Sequence, residues 1–171
     1  MRRYTVVQVD AFTTQPLQGN PCAVLSDARG LTDAEMQSIA REMNLSETAF
    51  VFPSAQRKAD FRFRYFTPVT EIPLAGHPTI ATAHVLVEEG RVPLQDSRGM
   101  FMMELNVGVL PVEIVGREGN VTHVVMTQKK PTFGRAFEHA QVAAVFGLSA
   151  DDLDPRFPPQ VVSTGTPQLM V

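Results

Sequence analysis

Two short segments hold residue types that could move a proton. Glu47 lies in Asn44-Leu45-Ser46-Glu47-Thr48-Ala49-Phe50, between a helical pattern and an apolar strand pattern. A carboxylate at such a junction can be drawn into a cleft and its pKa raised. It then suits general acid and base work, since one group can remove a proton and return it elsewhere. The same pattern describes a solvated glutamate at a strand start, the commoner situation because Glu is rarely buried unpaired. Gly76-His77-Pro78-Thr79 places a glycine and a histidine where a helix begins. Unpaired N–H groups and the helix dipole favour an anion there, such as a substrate carboxylate. A turn glycine followed by a capping residue reads equally well from the same four residues.

Other candidates carry less. Cys22 sits among Ala23, Val24 and Leu25 in a strand pattern, where a small buried thiol is the expectation rather than a nucleophile. His84 falls inside an apolar helical segment and reads as a hydrogen-bonded core histidine. His123 and His139 lack neighbours at zinc-ligand spacing, so no metal is implied. The chain has no G-x-G-x-x-G, no P-loop and no G-x-S-x-G, which removes the usual anchors of nucleotide binding and serine hydrolysis.

The elements that must position these residues follow from periodicity. Residues 4–9 and 22–26 read as strands joined by a loop with Pro16, Gly19, Asn20 and Pro21. Thr32-Asp33-Ala34-Glu35 has capping-box spacing, and Met36, Ile39, Ala40 and Met43 follow at helical intervals, predicting a helix over 33–43. Residues 48–52 form a short apolar strand. Residues 60–66 alternate Phe61, Phe63 and Tyr65 with Arg62 and Arg64, a half-buried strand whose arginines should face solvent. Residues 67–76 read as a loop.

The segment 78–89 has no polar stripe in its first two turns, so it predicts a buried helix. In a strand-rich chain a sheet curling around it is the economical way to bury it. Residues 99–105, 107–116 and 121–127 read as a β-meander. Residues 128–137 read as polar and irregular, 139–146 as a short helix, and 161–171 as strand-like. The fold class is α+β, with a first domain over 1–128, then 129–171 as a linker and the first elements of a second. The chain stops at Gln168-Leu169-Met170-Val171 in an apolar strand pattern, which raises the expectation of a longer parent.

Composition sets the outer limits. The 171 residues are 44% hydrophobic and 19% charged, which excludes a disordered or fibrous chain. With 15 basic against 18 acidic residues the net charge is −3, so no basic field exists to hold nucleic acid or an anionic membrane. No apolar run approaches the ~20 residues of a membrane span. One cysteine and an N-terminus unlike a signal peptide point to a cytoplasmic setting.

Three segments together resemble one family. They are Val9-Asp10-Ala11-Phe12 followed by Gly19-Asn20-Pro21-Cys22-Ala23-Val24, then residues 44–51, then Tyr65-Phe66-Thr67-Pro68 running into residues 71–84 with Ala75-Gly76-His77-Pro78-Thr79. In order, spacing and identity they resemble the PhzF-like family of phenazine biosynthesis, which shares the diaminopimelate epimerase fold. Residues 99–171 match in general character, with Ser163-Thr164-Gly165-Thr166-Pro167 similar to the strand that opens the family's second half.

The resemblance implies two similar halves, each a sheet around a central helix, with the active site in the cleft between them. It implies an isomerase that needs no cofactor and moves a proton on a small cyclic or unsaturated carboxylic acid. Glu47 is the implied acid and base, with His77 beside it, and Asn20, Ser46, Gly76, Pro78 and Thr79 are the implied substrate-binding residues. A homodimer is the expected assembly.

Two departures stand out. Ala75 occupies a place where the racemase and epimerase relatives carry a cysteine, which disfavours two-thiol racemisation. The aspartate and Gly-Ser segment of the family's second half do not occur in this chain. A competing reading is therefore a catalytically silent half that only binds ligand or another chain. An unpaired half exposes apolar surface, so self-association is expected. Sedimentation of the purified chain checks this, and a clean monomer counts against it.

Overall fold

Strand periodicity and two helical crossovers account for the architecture. The computed structural model describes residues 2–171 and divides into two units, with the boundary between Thr127 and Gln128. In the first unit, β1 (Val7–Ala11), β2 (Asn20–Leu25), β3 (Glu47–Pro53), β4 (Phe61–Phe66), β5 (Glu71–Ile72), β6 (Arg98–Leu105), β7 (Gly108–Arg117) and β8 (Asn120–Met126) share one mixed sheet. Its order is β1-β2-β3-β4-β6-β7-β8, with β5 added beside β4. The pairs β2–β3 and β4–β6 are parallel and the others antiparallel. Parallel pairing needs a long crossover. The first contains α1 (Asp33–Met43), and the second contains α2 (His77–Glu88).

Alternation along the strands separates two apolar faces. Cys22, Val24, Ala49, Val51, Phe63 and Tyr65 join Ala81, Ala83, Val85 and Leu86 of α2 in the main core. Leu25, Phe50 and Phe66 point the other way and pack with Met36 and Ala40 of α1. Helix α2 packs against β1, β2, β3 and β8. Since β1 and β8 are opposite ends of the strand order, one helix touches both only because the sheet curls.

Local signals place the helix ends. Thr32 caps α1, accepting from the Glu35 N–H while the Glu35 carboxylate accepts from the Thr32 N–H, as the capping-box spacing predicts. Gly90 follows α2 at φ +69°, the left-handed conformation in which glycine ends a helix at no steric cost.

The structure differs from the sequence expectations at identifiable places. The first strand runs from Val7 to Ala11 rather than over 4–9, because it pairs with β2 from Val7↔Val24 to Ala11↔Asn20. The expected 67–76 loop contains the two-residue β5. Arg62 keeps a 37% exposed side chain as expected, Arg64 is largely covered, and both are paired with carboxylates. Arg64 makes two bonds to Glu71, at 2.8 and 2.6 Å, and a 2.6 Å ion pair with Asp33, leaving its side chain 15% exposed. Arg62 pairs with the buried Glu104 at 2.7 Å. Period two puts the arginines on the face away from α2, but acidic residues of α1, β5 and β6 cover that face.

In the second unit, β9 (Thr132–Ala136), β10 (Gln160–Ser163) and β11 (Pro167–Met170) form an antiparallel sheet in the order β11-β10-β9. It is accompanied by α3 (His139–Phe146) and a short 3-10 turn at Ala150–Asp152. Strand β9 lies where an irregular segment was expected. All five of its residues are exposed, so no burial pattern marks it. Among the described residues no helix is long and apolar enough to cross a membrane.

The core makes a graded stability prediction. Phe63 is buried with its ring 5.7 Å from Phe101 and 6.2 Å from Tyr65. Phe63→Ala is expected to cost about 3–5 kcal/mol, and Thr32→Ala, which removes the cap, about 1 kcal/mol. Urea unfolding monitored by circular dichroism checks the order; equal effects would mean that Phe63 is not central to the packing.

Candidate active site

Three chain segments converge at the start of α2. Helix α1 ends at Asn44, whose left-handed φ of 51° reverses the chain, and Leu45 and Ser46 lead into Glu47 at the first position of β3. Strand β2 begins beside it, with Cys22 directly opposite Glu47 in the parallel register. Glu47 is two residues before Ala49 and four before Val51, so strand alternation turns it to the same face as those core residues, towards α2. His77 is the first residue of α2, after Gly76 at the cap position.

Glu47 and His77 meet there. The His77 Nε2 lies 3.4 Å from the Glu47 Oε2, with the His77 side chain 9% and the Glu47 side chain 21% exposed. Both atoms are buried and neither has a hydrogen-bond partner. The contact is therefore a close approach without hydrogen-bond geometry.

The protonation state follows from the surroundings. Burial pushes the His77 ring below the ordinary histidine pKa, against the charge of Glu47 and a hydrogen bond to the Pro21 carbonyl, which both favour the protonated form. The ring is neutral at pH 7. A carbonyl only accepts, so the ring nitrogen facing Pro21 must be a donor. Because Nε2 is unpartnered, that donor is Nδ1–H, and Nε2 carries a lone pair. The Glu47 Oε2, likewise unpartnered, faces it at 3.4 Å, and two acceptor atoms in contact form a place for a proton or a donor group.

The neighbouring thiol does not compete for this chemistry. Burial pushes Cys22 up to about 12; an Ala49 backbone hydrogen bond opposes this, and the Glu47 charge adds to it. Cys22 is a core residue, as its sequence setting predicts.

The remaining expected site residues are placed unevenly. Gly76 is exposed beside His77, and Pro78 is buried in the first turn. Asn20 and Ser46 are exposed, one residue before Pro21 and one before Glu47. Thr79 is fully buried, and its hydroxyl is held by the Ala75 carbonyl at 2.7 Å and the Tyr65 hydroxyl at 2.6 Å. Sequence reading missed the Pro21 carbonyl and Tyr65. A carbonyl's role is invisible in residue identity, and Tyr65 reads as one more apolar position of a strand. Two surface concavities, of about 560 and 630 Å³, include neither Glu47 nor His77 in their walls.

A family model described as phenazine biosynthesis-like protein matches residues 9–171. The chain is 38% identical over 171 residues to a trans-2,3-dihydro-3-hydroxyanthranilate isomerase of Pseudomonas aeruginosa, covering 100% of the chain and 57% of that protein. A crystal structure of a phenazine biosynthesis protein of the PhzF family from Bacillus anthracis matches with TM-score 0.78 and 37% identity, over 99% of this chain and 55% of that one. A hydroxyproline epimerase of Agrobacterium vitis shares the fold at TM-score 0.68 and 13% identity, over 96% of this chain and 50% of that one. The chain spans little more than half the length of the curated relatives it matches. With the family model covering nearly the whole sequence, the chain belongs to the phenazine biosynthesis-like, PhzF family.

Proposed function

We propose that the chain carries the proton-transferring half of a PhzF-type isomerase acting on a small cyclic or unsaturated carboxylic acid. The observation that supports this best is the pair of unpartnered buried acceptors, Glu47 Oε2 and His77 Nε2, 3.4 Å apart. The relative named as a dihydro-hydroxyanthranilate isomerase suggests the substrate class.

In this reading the Glu47 carboxylate removes a proton from an acidic C–H, the electron pair moves along the unsaturated system, and the same proton returns from Glu47 to a different carbon. Nothing is oxidised or reduced overall, so positioning and a carboxylate suffice. Neutral His77, locked by Nδ1–H on the Pro21 carbonyl, offers Nε2 to a substrate N–H or O–H and so holds the reacting carbon near Glu47. The backbone N–H groups of Gly76 and His77 take the substrate carboxylate. Asn20 and Ser46, exposed at the starts of β2 and β3, fit the rim of such a site. Pro78, second in α2, has the fixed φ of a first helical turn and no N–H to leave unpaired there.

The same reading makes residues 1–128 one epimerase-like half with α2 as its central helix. It makes 129–171 the linker and opening elements of a second half, the protein a homodimer and its setting the cytoplasm.

Two measurements test this. In the protein with a complete second half, Glu47→Gln is expected to lower kcat by about 10²–10⁴-fold, the usual range for a lost general acid–base group, while leaving the fold intact. Near-normal turnover would remove Glu47 from the mechanism. The His77 ring titration, followed by NMR at Cε1–H, should show a midpoint below the ordinary value near 6.5. Because the Glu47 charge favours the protonated ring, Glu47→Gln should lower that midpoint further; a rise would show that the two groups do not face each other as charge and base.

A further inference from the structure

Beneath the start of α2 lies a buried polar chain that the proton transfer itself does not use. The Tyr65 hydroxyl and the Thr79 Oγ1 are 2.6 Å apart, and the Thr79 Oγ1 is 2.7 Å from the Ala75 carbonyl oxygen. Tyr65 and Thr79 are both 0% exposed. A hydroxyl has one proton and a carbonyl has none, so the order is decided. Thr79 donates to Ala75, and Tyr65 donates to Thr79. The reverse order leaves the Ala75 carbonyl without this donor and offers Thr79's proton to a phenol whose own proton could reach only the Met103 sulfur, at 3.4 Å. Thioether sulfur is a weak acceptor, so that arrangement loses.

This order has a consequence on the other side of the peptide bond. The Ala75 C=O and the Gly76 N–H belong to one planar trans unit and point in opposite directions. Pinning the carbonyl down into the core, onto Thr79, turns the Gly76 N–H up and away from it. Among the described residues, neither the Gly76 nor the His77 N–H has a hydrogen-bond partner. A Cβ built on Gly76 would meet nothing within 4 Å, so the space beside it is open. The nine-tenths buried His77 ring, with its unpartnered Nε2, borders the same corner.

We infer that Thr79, oriented by Tyr65, is a positioning residue that aims the Gly76 N–H at the anionic group of the substrate. Thr79 thus serves the site from below, through the peptide it holds, and its side chain touches no substrate. The inference rests on the anion-binding part of the proposed function, and its test keeps the two separable.

NMR of the 171-residue chain reads the peptide directly. Thr79→Val, which keeps the branched shape and removes the hydroxyl, is expected to move the Ala75 carbonyl ¹³C resonance upfield and to displace the Gly76 amide. Thr79→Ser should restore both, and Tyr65→Phe should move them in the same direction by less. Resonances of Ala75 and Gly76 unchanged in both Thr79→Val and Tyr65→Phe would overturn the positioning role. Should Thr79→Val not fold, Tyr65→Phe decides alone.

A second arm titrates anthranilate, as a cyclic carboxylate probe, and follows the Gly76 amide. Saturable binding weakened about three- to tenfold in Thr79→Val and recovered in Thr79→Ser, the worth of one hydrogen bond, supports the inference. Equal affinity in all variants overturns it. A Gly76 amide indifferent to anthranilate in the unsubstituted chain defeats the anion-binding reading. The resonances of the first arm still judge whether Thr79 orients the peptide.

Discussion

Eight of the twelve residues of α2 are buried. The helix has no polar face wide enough to turn to water, and this constraint shapes the first unit. A helix lying on a flat sheet covers one side only. Here α2 is packed by β1 and β8 as well as β2 and β3, so the sheet must curl until its two ends approach the helix from opposite sides. Burial of apolar area, at about 25 cal/mol per Å², drives this without specifying direction. The direction comes from the parallel crossovers and from the caps at each helix end.

The curl has a chemical result. A helix enclosed along its length still has free N–H groups at its start, and burying the sides of the first turn concentrates polar function at that end. Glu47 arrives there because α1 ends in a left-handed Asn44 and β3 begins three residues later beside β2. His77 arrives there because it opens α2. The burial that makes the helix fit also removes water from the His77 ring and keeps it neutral, whereas the same ring on the surface would spend part of its time charged near neutral pH. Packing and protonation state have one cause.

The other face of the sheet shows how far alternation can be trusted. The Arg62 and Arg64 positions read correctly as pointing away from the α2 core. Their surroundings did not, because Asp33, Glu71 and Glu104 come from three other elements that only the fold brings over β4. Burial alone would raise the Glu104 pKa, but hydrogen bonds from Ser54 and Arg62 outweigh it, and the carboxyl is held below its ordinary value. A period-two pattern reports which way a side chain points and is silent on what it meets. The exposed strand β9 is the converse case, a paired strand with no periodicity to reveal it.

Sequence alone was enough for the features governed by near neighbours in the chain. These are the capping box at Thr32 and Glu35, the helix opening at Gly76-His77-Pro78, the buried character of Cys22 and the run of motifs from Val9 to His84 that resembles the PhzF-like family. Each depends on spacing within one or two turns or on identity at fixed intervals. Tertiary structure decided what depends on contacts across the chain. The 3.4 Å approach of Glu47 to His77 joins residues thirty positions apart in sequence, on two different elements. The tautomer of the ring depends on a carbonyl of β2, and the Thr79 hydroxyl that holds the Ala75 carbonyl is itself met by a hydroxyl of β4. Hydrogen bonds and electrostatic shifts act over a few ångströms, and a one-dimensional pattern carries no information about which distant residues come that close.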